Sequence, residues 1–336
     1  IMHFWVSERS GDVVSLFFKA TQPITGIDFS NSLEKSERLL RRAASMEPEH
    51  YWTYFWLGCN RLAAQRFSAA ELAFDTCIAI KPDYALGYAY RGWSLLHESQ
   101  SVQDAATQSE LRTRGLADLS HARAIEPVNP EFAWLTGLAL AQTGQNREAL
   151  QAFLRAAELE PAVSTWAGRR IYDEKLANFK RMRELAKSTT EMDPRNLEGW
   201  TALAAAAWAL GSLDEADQAA TAALKLKGDQ PLALAVRGSV SLERKRFDAA
   251  LTDFHAALAK QPKLWLAAYG LAQALESQAP ADQALDAYDD LAAIAETNWQ
   301  KAQAQLGRAR LLARLNRPEE AAAARKAAAT LDPAAK

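Results

Sequence analysis

The sequence predicts an all-α protein, a solenoid of antiparallel helix pairs. Three observations predict it. Pro48, Pro82, Pro127, Pro161, Pro194, Pro262 and Pro333 close similar tails, from SMEP and AIKP to AKQP and TLDP, at gaps of 34, 45, 34, 33, 68 and 71 residues. Small and aromatic residues recur at fixed offsets ahead of those marks. Twenty-four, twelve and eight residues before Pro82 stand Gly58, Ala70 and Phe74; before Pro161 stand Gly137, Ala149 and Phe153; before Pro262 stand Gly238, Ala250 and Phe254. Each half-period carries apolar residues at i, i+3, i+4 and i+7, the stripe of an amphipathic helix.

Taken in order, residues 1–31 fall outside the period and read as an N-terminal segment or junction. Within them GDVVSLFFKA is apolar enough for a helix, and QPITGIDFSNS reads as extended chain leading to a helix start at Ser32 and Glu34. Residues 32–336 form the solenoid. A lone second helix, Leu33 to Pro48, comes first. The full frames then run 51–84, 85–129, 130–163, 164–196, 197–230, 231–262, 263–299 and 300–336, about eight repeats plus the half-repeat. The gap of 68 is two periods, and Gly228 in KLKGD stands where the missing mark belongs, glycine being the other common helix stop. Frame 85–129 carries eleven extra residues around Ser99 to Arg114, which lengthen its second helix or form a protruding loop. Frame 164–196 departs furthest: Trp166 fits, but Arg170 and Ala186 replace the close-packing glycine and the aromatic. The last two frames predict longer turns around Pro280 and Pro318, and Ala321 to Ala329 reads as a terminal cap.

The physical logic is that small residues let the two helices of a pair approach closely. Gly58, Gly92, Gly137, Gly238, Gly270 and Gly307 do so from the first helix, and Ala70, Ala149, Ala216 and Ala250 from the second. Phe74, Phe153 and Phe254 fill the gap to the next unit, and the closing proline ends the helix. On these residues the chain resembles the tetratricopeptide repeat, a 34-residue helix-turn-helix unit. The resemblance covers about nine tenths of the chain and implies a right-handed superhelix that binds protein or peptide partners. The stretch HYWTYFWLGCNRLAAQRFSAAELAFDTCIAIKPDYALGYAYRGWSLL, residues 50–96, is also similar to repeat domains attached to bacterial serine/threonine protein kinases. That likeness implies an accessory domain of a larger bacterial signalling protein. The chain itself carries neither the HRD nor the DFG of a kinase.

Composition narrows the function further. Of 336 residues 49% are apolar and 24% charged, with 15 Gly and 12 Pro, which excludes disordered and collagen-like chains. Lys and Arg number 39 against 41 Asp and Glu, a net charge of −2, so there is no global field to gather nucleic acid or an anionic membrane. Cys59 and Cys77 are too few for a disulfide framework or a four-ligand zinc site; both read as small buried side chains. No apolar run is long enough to span a bilayer. The opening Ile1-Met2-His3-Phe4-Trp5 lacks a signal peptide's basic region and apolar stretch, and a chain starting with isoleucine reads as part of something longer. A cytoplasmic location is expected.

No catalytic set, metal site or cofactor is expected. His3, His50, His97, His121 and His255 make no HExxH and pair with no Cys or Asp at ligand spacing. There is no phosphate-cradling glycine loop and no GxSxG, and the adjacent Asp289 and Asp290 project to different sides of one helix.

In the resembled family the second, fifth, ninth, twelfth and thirteenth positions of each first helix face a concave groove. Here they are Trp52, Phe55, Cys59 and Leu62; Leu86, Ala89, Trp93, Leu96 and His97; Glu131, Trp134, Leu138, Ala141 and Gln142; Glu198, Thr201, Ala205 and Trp208; then Leu232, Ala235, Ser239, Leu242 and Glu243. Aromatic residues crowd the N-terminal part, as in interaction hot spots. The expected partner site is therefore Trp52, Phe55, Trp93, His97, Trp134 and Gln142, holding an apolar or aromatic peptide. The alternative is that these rings pack between repeats, or that residues 1–30 cover them. Phe55 and Cys59 occupy places where chaperone-binding relatives carry lysine and asparagine, which argues against capture of chaperone tails.

The expected function is a non-catalytic protein-interaction scaffold; the alternatives are self-assembly and an intramolecular module packed on an upstream domain. A nucleic-acid reading would use the basic stripe Arg169, Arg170, Lys175, Lys180, Arg181, Arg183 and Lys187, interleaved with Tyr172 and Phe179. A solvated face on a degenerate repeat is the favoured reading of that stripe, with an acidic peptide or a neighbouring domain next in order.

Overall fold

A computed structural model describes residues 29–160 and 169–332, with side chains from 33 to 160 and from 177 to 332. The expected segment 1–31 lies almost wholly outside the described residues, as does Trp166. Among the described residues there are sixteen α-helices and no strand. They form two compact units, divided between Pro127 and Val128.

The first unit holds α1 (Phe29–Met46), α2 (Tyr51–Ala63), α3 (Phe67–Ile80), α4 (Ala85–Ser101) and α5 (Ala105–Ile125). The second holds α6 (Pro130–Gln142), α7 (Asn146–Leu159), α8 (Arg169–Met192), α9 (Leu197–Ala209), α10 (Leu213–Leu226), α11 (Pro231–Glu243), α12 (Phe247–Lys260), α13 (Trp265–Gln278), α14 (Ala281–Ile294), α15 (Asn298–Arg314) and α16 (Pro318–Leu331). The architecture is a helical repeat: α2/α3, α4/α5 and α6/α7 are pairs, as are α9/α10, α11/α12, α13/α14 and α15/α16.

The periodic marks occupy one structural place. Pro48, Pro82, Pro127, Pro194, Gly228 and Pro262 are each the second residue of a four-residue link between units. Within pairs the turn is also standardised. Residues 64–66, 143–145, 210–212, 244–246 and 315–317 join the helices, and the middle residue is left-handed in every one: Gln65, Gly144, Gly211, Lys245 and Asn316. Only two of the five are the glycine that this backbone favours.

Three expectations are corrected. The eleven extra residues make no loop; they go into both helices of their pair, α4 reaching 17 residues and α5 reaching 21, against 13 and 14 in α2 and α3. Frame 164–196 holds one described helix of 24 residues, α8, instead of a pair. The stretch RRIYDEKLANFKRMRELAKSTTEM has no glycine or proline, so nothing in it stops a helix. The late turns are not longer. Ala279 and Pro280 alone join α13 to α14, and Pro318 is the first residue of α16, where its missing N–H costs nothing. The surplus instead lengthens α15 to 17 residues.

Close packing follows the small-residue rule. A Cβ at Gly58 would stand 2.5 Å from the Phe74 ring, and one at Gly137 would stand 2.4 Å from Phe153. Phe74, Phe153 and Phe254 are fully buried, so hydrogen is the only substituent these crossings admit.

In the first unit two ionic clusters tie the helices together. The Arg91 guanidinium donates to both oxygens of Asp118 at 2.7 Å and to Asp75 at 2.8 Å, bridging α3, α4 and α5. Glu37 of α1, its side chain 9% exposed, pairs with Arg61 of α2 at 3.2 Å, with Arg66 at 2.5 Å and with Arg41 at 3.3 Å. Burial pushes the Glu37 carboxyl up, but the Arg61 hydrogen bond and the charges of Arg66, Arg61 and Arg41 outweigh it and hold it below 4.5. A depressed carboxyl stabilises the fold above its unfolded value, and the gain is lost as pH falls through the folded value. Glu37→Gln is therefore expected to cost about 2 kcal/mol at pH 7 and to flatten the acid limb of stability below about pH 4.5. Urea titrations of both proteins from pH 3 to 7 check this; parallel pH profiles would refute it.

In the second unit one contact spans 141 positions. The Gln300 amide, opening α15, donates to the Leu159 carbonyl at the end of α7 at 2.9 Å, and Arg155 of α7 pairs with Glu296 at 2.6 Å.

Candidate functional site

The six residues expected to bind a partner divide between the units. Trp52, Phe55, Trp93 and His97 lie in the first. Trp52 is half-buried, edge-on to Tyr51 and Phe55 at 5.2 and 5.5 Å. Trp93 and His97 are also half-buried; their rings meet edge-on at 4.6 Å, and His97 stacks on Phe67 at 5.4 Å. In the second unit Gln142 is exposed at the end of α6.

Phe55 and Trp134 are core residues. Phe55, 5% exposed, packs on Phe74 and Tyr90 at 6.0 and 5.1 Å. Trp134, 6% exposed, is wedged between Phe153 at 5.3 Å and Phe179 at 4.9 Å. Both occupy the fifth position of a first helix, and both rings reach the aromatic residue of their own second helix. Packing between helices explains them.

The basic stripe is partly spent. Lys180, Arg181 and Lys187 are exposed on α8, while Arg183 pairs with Glu215 at 2.8 Å and Phe179 is buried. The side chains of Arg169, Arg170, Tyr172 and Lys175 lie outside the described residues. Burial pushes the Cys77 thiol up to about 12, which keeps it protonated and inert as a nucleophile.

Among the described residues a concave site is built in the second unit. A cleft of about 410 Å³ is lined by Trp208 from α9, Ser239, Leu242 and Glu243 from α11, and Leu266, Tyr269, Gln273, Glu276 and Ser277 from α13. Lys245, Phe247, Gly270 and Arg310 of α15 complete it. These first helices begin at Leu197, Pro231 and Trp265, one period of 34 apart. Trp208, Leu242 and Glu276 are their twelfth positions, Ser239 and Gln273 their ninth, and Glu243 and Ser277 their thirteenth. A repeat that equals the structural period stacks like positions into one surface.

Trp208 (8% exposed), Leu266 (3%) and Tyr269 (3%) make the floor. Tyr269 stacks on Trp265 at 4.8 Å. Behind the floor a Cβ on Gly270 would fall 2.2 Å from the Phe254 ring, so glycine lets Phe254 reach up beneath it. The rim is charged. The Trp208 indole N–H donates to Glu243 Oε1 at 2.9 Å. Glu276 accepts from the Tyr288 hydroxyl at 2.7 Å and from Arg314 at 2.9 Å. Burial, reinforced by the Glu276 charge, pushes the Tyr288 hydroxyl far up, so it stays a donor. Arg310, its side chain 48% exposed, reaches the Tyr288 oxygen at 3.4 Å and Glu276 at 3.8 Å.

A tetratricopeptide repeat family model matches residues 112–163 and 236–299. The match supports the tetratricopeptide repeat over stretches that sum to less than half of the chain, and the second includes the α11 and α13 walls of the cleft. Among solved structures, the chain is similar to the thermophilic tetratricopeptide-repeat protein TTC0263 of Thermus thermophilus, with 19% identity over 63% of this chain and 92% of that one and a TM-score of 0.38. It is similar to yeast Tom70 with 13% identity over 95% and 92% and a TM-score of 0.38. It is similar to YrrB, a tetratricopeptide-repeat protein with an unusual peptide-binding site, with 16% identity over 68% and 95% and a TM-score of 0.32. No curated protein matches the sequence.

The 34-residue register explains which cleft residues sequence reasoning found and which it missed. Trp208, Ser239, Leu242 and Glu243 stand at inward positions already on the sequence count. Leu266, Tyr269, Gln273, Glu276 and Ser277 stand there too, once the count starts at Trp265. Gly270 invites a frame beginning at 263, because it looks like the counterpart of Gly238; the true counterpart is Ala272. The aromatic floor and two-signed rim suit a side chain that is apolar in its body and polar at its tip. Among the described residues no cluster of His, Cys, Asp and Glu could hold a metal ion, and no helix is long and apolar enough to cross a membrane.

Proposed function

We propose that this chain is a non-catalytic protein-interaction scaffold that takes an extended segment of a partner protein in the cleft of its second unit. One observation carries the reading. Nine lining residues of the cleft fall on the second, fifth, ninth, twelfth and thirteenth positions of α9, α11 and α13, the face that a tetratricopeptide array turns inward. The cleft presents a buried aromatic floor inside a polar rim, the arrangement of interaction hot spots. The further reading, an accessory domain of a bacterial signalling protein, is supported by the likeness of residues 50–96 to kinase-attached repeats.

The test is a random-peptide display library panned on the full chain. Peptides enriched on wild type are expected to bind at least about tenfold more weakly, about 1.4 kcal/mol, to Gln273→Arg/Ser277→Arg, which fills the cleft from partly exposed and exposed positions. Circular dichroism controls for folding. Enriched peptides that bind the blocked protein equally well would remove the cleft as the site.

A further inference from the structure

Repeat arrays are held by nearest neighbours, so a contact between residues 155–159 and 296–300 needs a different explanation from ordinary stacking. It is built with care. Gln300 is 2% exposed. Its amide N–H groups donate to the carbonyls of Leu159 at 2.9 Å and Glu158 at 3.4 Å. Its amide oxygen accepts from the backbone N–H of Glu296 at 2.7 Å and of Thr297 at 3.3 Å, closing a capping box with Thr297 at the start of α15. Arg155 pairs with Glu296 at 2.6 Å and lies 3.6 Å from Glu158. Glu158 in turn hydrogen-bonds Gln261, in the link between α12 and α13.

The end of α7 therefore grips the start of α15 and the approach to α13 together. Both helices are walls of the cleft. Gln300 and Arg310 lie ten residues apart on α15, about 15 Å along one rigid helix, so a pivot at Gln300 moves Arg310 across the cleft mouth. The other two walls, α9 and α11, lie in the chain between the two gripped ends.

We propose that Arg155, Glu296 and Gln300 form a clasp that positions the walls of the cleft, holding α15 at a fixed distance from α11. The three are positioning residues: none of them lines the cleft. The clasp needs no ligand and stands or falls separately from the peptide-binding reading.

Spin-label distance measurements test it on the full chain, with Cys59→Ser and Cys77→Ala removing native thiols. Labels at exposed Gln151 and Lys301 report the clasp; labels at exposed Lys245 and Ala313 report the cleft. Arg155→Glu is expected to lengthen and broaden both distances. Arg155→Glu with Glu296→Arg restores the ion pair in reverse and is expected to return both toward wild type. Glu296→Gln and Gln300→Ala, milder changes, carry the same expectation should Arg155→Glu lose helicity. A clasp distance that opens while the cleft distance stays fixed overturns the positioning role. Distances indifferent to every variant, or a reversed pair that fails to restore them, overturn the clasp itself.

Discussion

Gly92→Val is expected to destabilise the first unit by about 3 kcal/mol. The reason lies in what a Cβ there would meet. The Gly115 carbonyl oxygen of α5 is 2.6 Å away and the Asp118 Cβ 2.9 Å, while a Cβ on Gly115 would stand 2.8 Å from the Gly92 carbonyl. The two helices of this pair, α4 and α5, thus cross backbone to backbone, glycine on glycine. At Gly58 or Gly137 a single buried ring stands in the way. Here the obstacle is main chain, and it yields only if α5 shifts as a whole. That shift would also draw Asp118 away from Arg91, whose fork holds α3, α4 and α5 together at 2.7–2.8 Å. Denaturant unfolding of the variant checks the figure. The same change at Gly228, where the nearest atom to an added Cβ is 3.8 Å away, is the control and is expected to cost little. Equal effects at both sites would mean that the crossing is not the cause.

Phe254→Ala is expected to cost the second unit about 4 kcal/mol. Phe254 is fully buried, and its ring closes on two glycines at once: added Cβ atoms would meet it 2.8 Å away from Gly238 and 2.2 Å away from Gly270. One side chain therefore sets the spacing of α11, α12 and α13. Truncation leaves a ring-sized void flanked by glycines, which have no side chains to move into it, so relaxation cannot refill the space. Phe254→Leu is expected to cost less than half as much. The urea midpoint is the readout, and a cost near about 1 kcal/mol would show that the helices collapse onto the gap. Since the same ring lies beneath Gly270 in the cleft floor, the alanine variant is also expected to weaken any peptide selected on wild type.

The repeat was legible because its marks have backbone consequences. A proline at the second place of a four-residue link forbids a continuing helix whatever surrounds it, and Gly228 substitutes for it for a related reason. Small residues at Gly58 and Gly137 were legible because only hydrogen fits against Phe74 and Phe153. What misled was any residue with two interpretations. Phe55 and Trp134 at inward-facing positions look the same in sequence whether a ring turns to solvent or to its own second helix; the rings of Phe74 and Phe153 decide it. Gly270 looks like a helix-crossing glycine but belongs two residues earlier in the register, so a frame begun at 263 misplaces the inward positions of α13. Even spacing suggested a helix pair at 164–196, yet the chemistry there offers no stop between Arg169 and Met192. The contact of Gln300 with Leu159 leaves no trace in sequence at all, because neither residue type announces a partner 141 positions away.

That contact also alters how the second unit should come apart. A linear array melts from its ends, since a terminal repeat has one neighbour and an inner repeat two. Joining Leu159 to Gln300 converts the stretch between them from a line to a loop, and a loop has no end from which to fray. Any repeat inside it must break away from both sides before the chain gains freedom. The parts of the unit outside the loop, α6 and the first turns of α7 on one flank and the rest of α15 with α16 on the other, gain nothing from it. The unit's slowest-exchanging amides should accordingly cluster across α9 to α13, and they should be lost together.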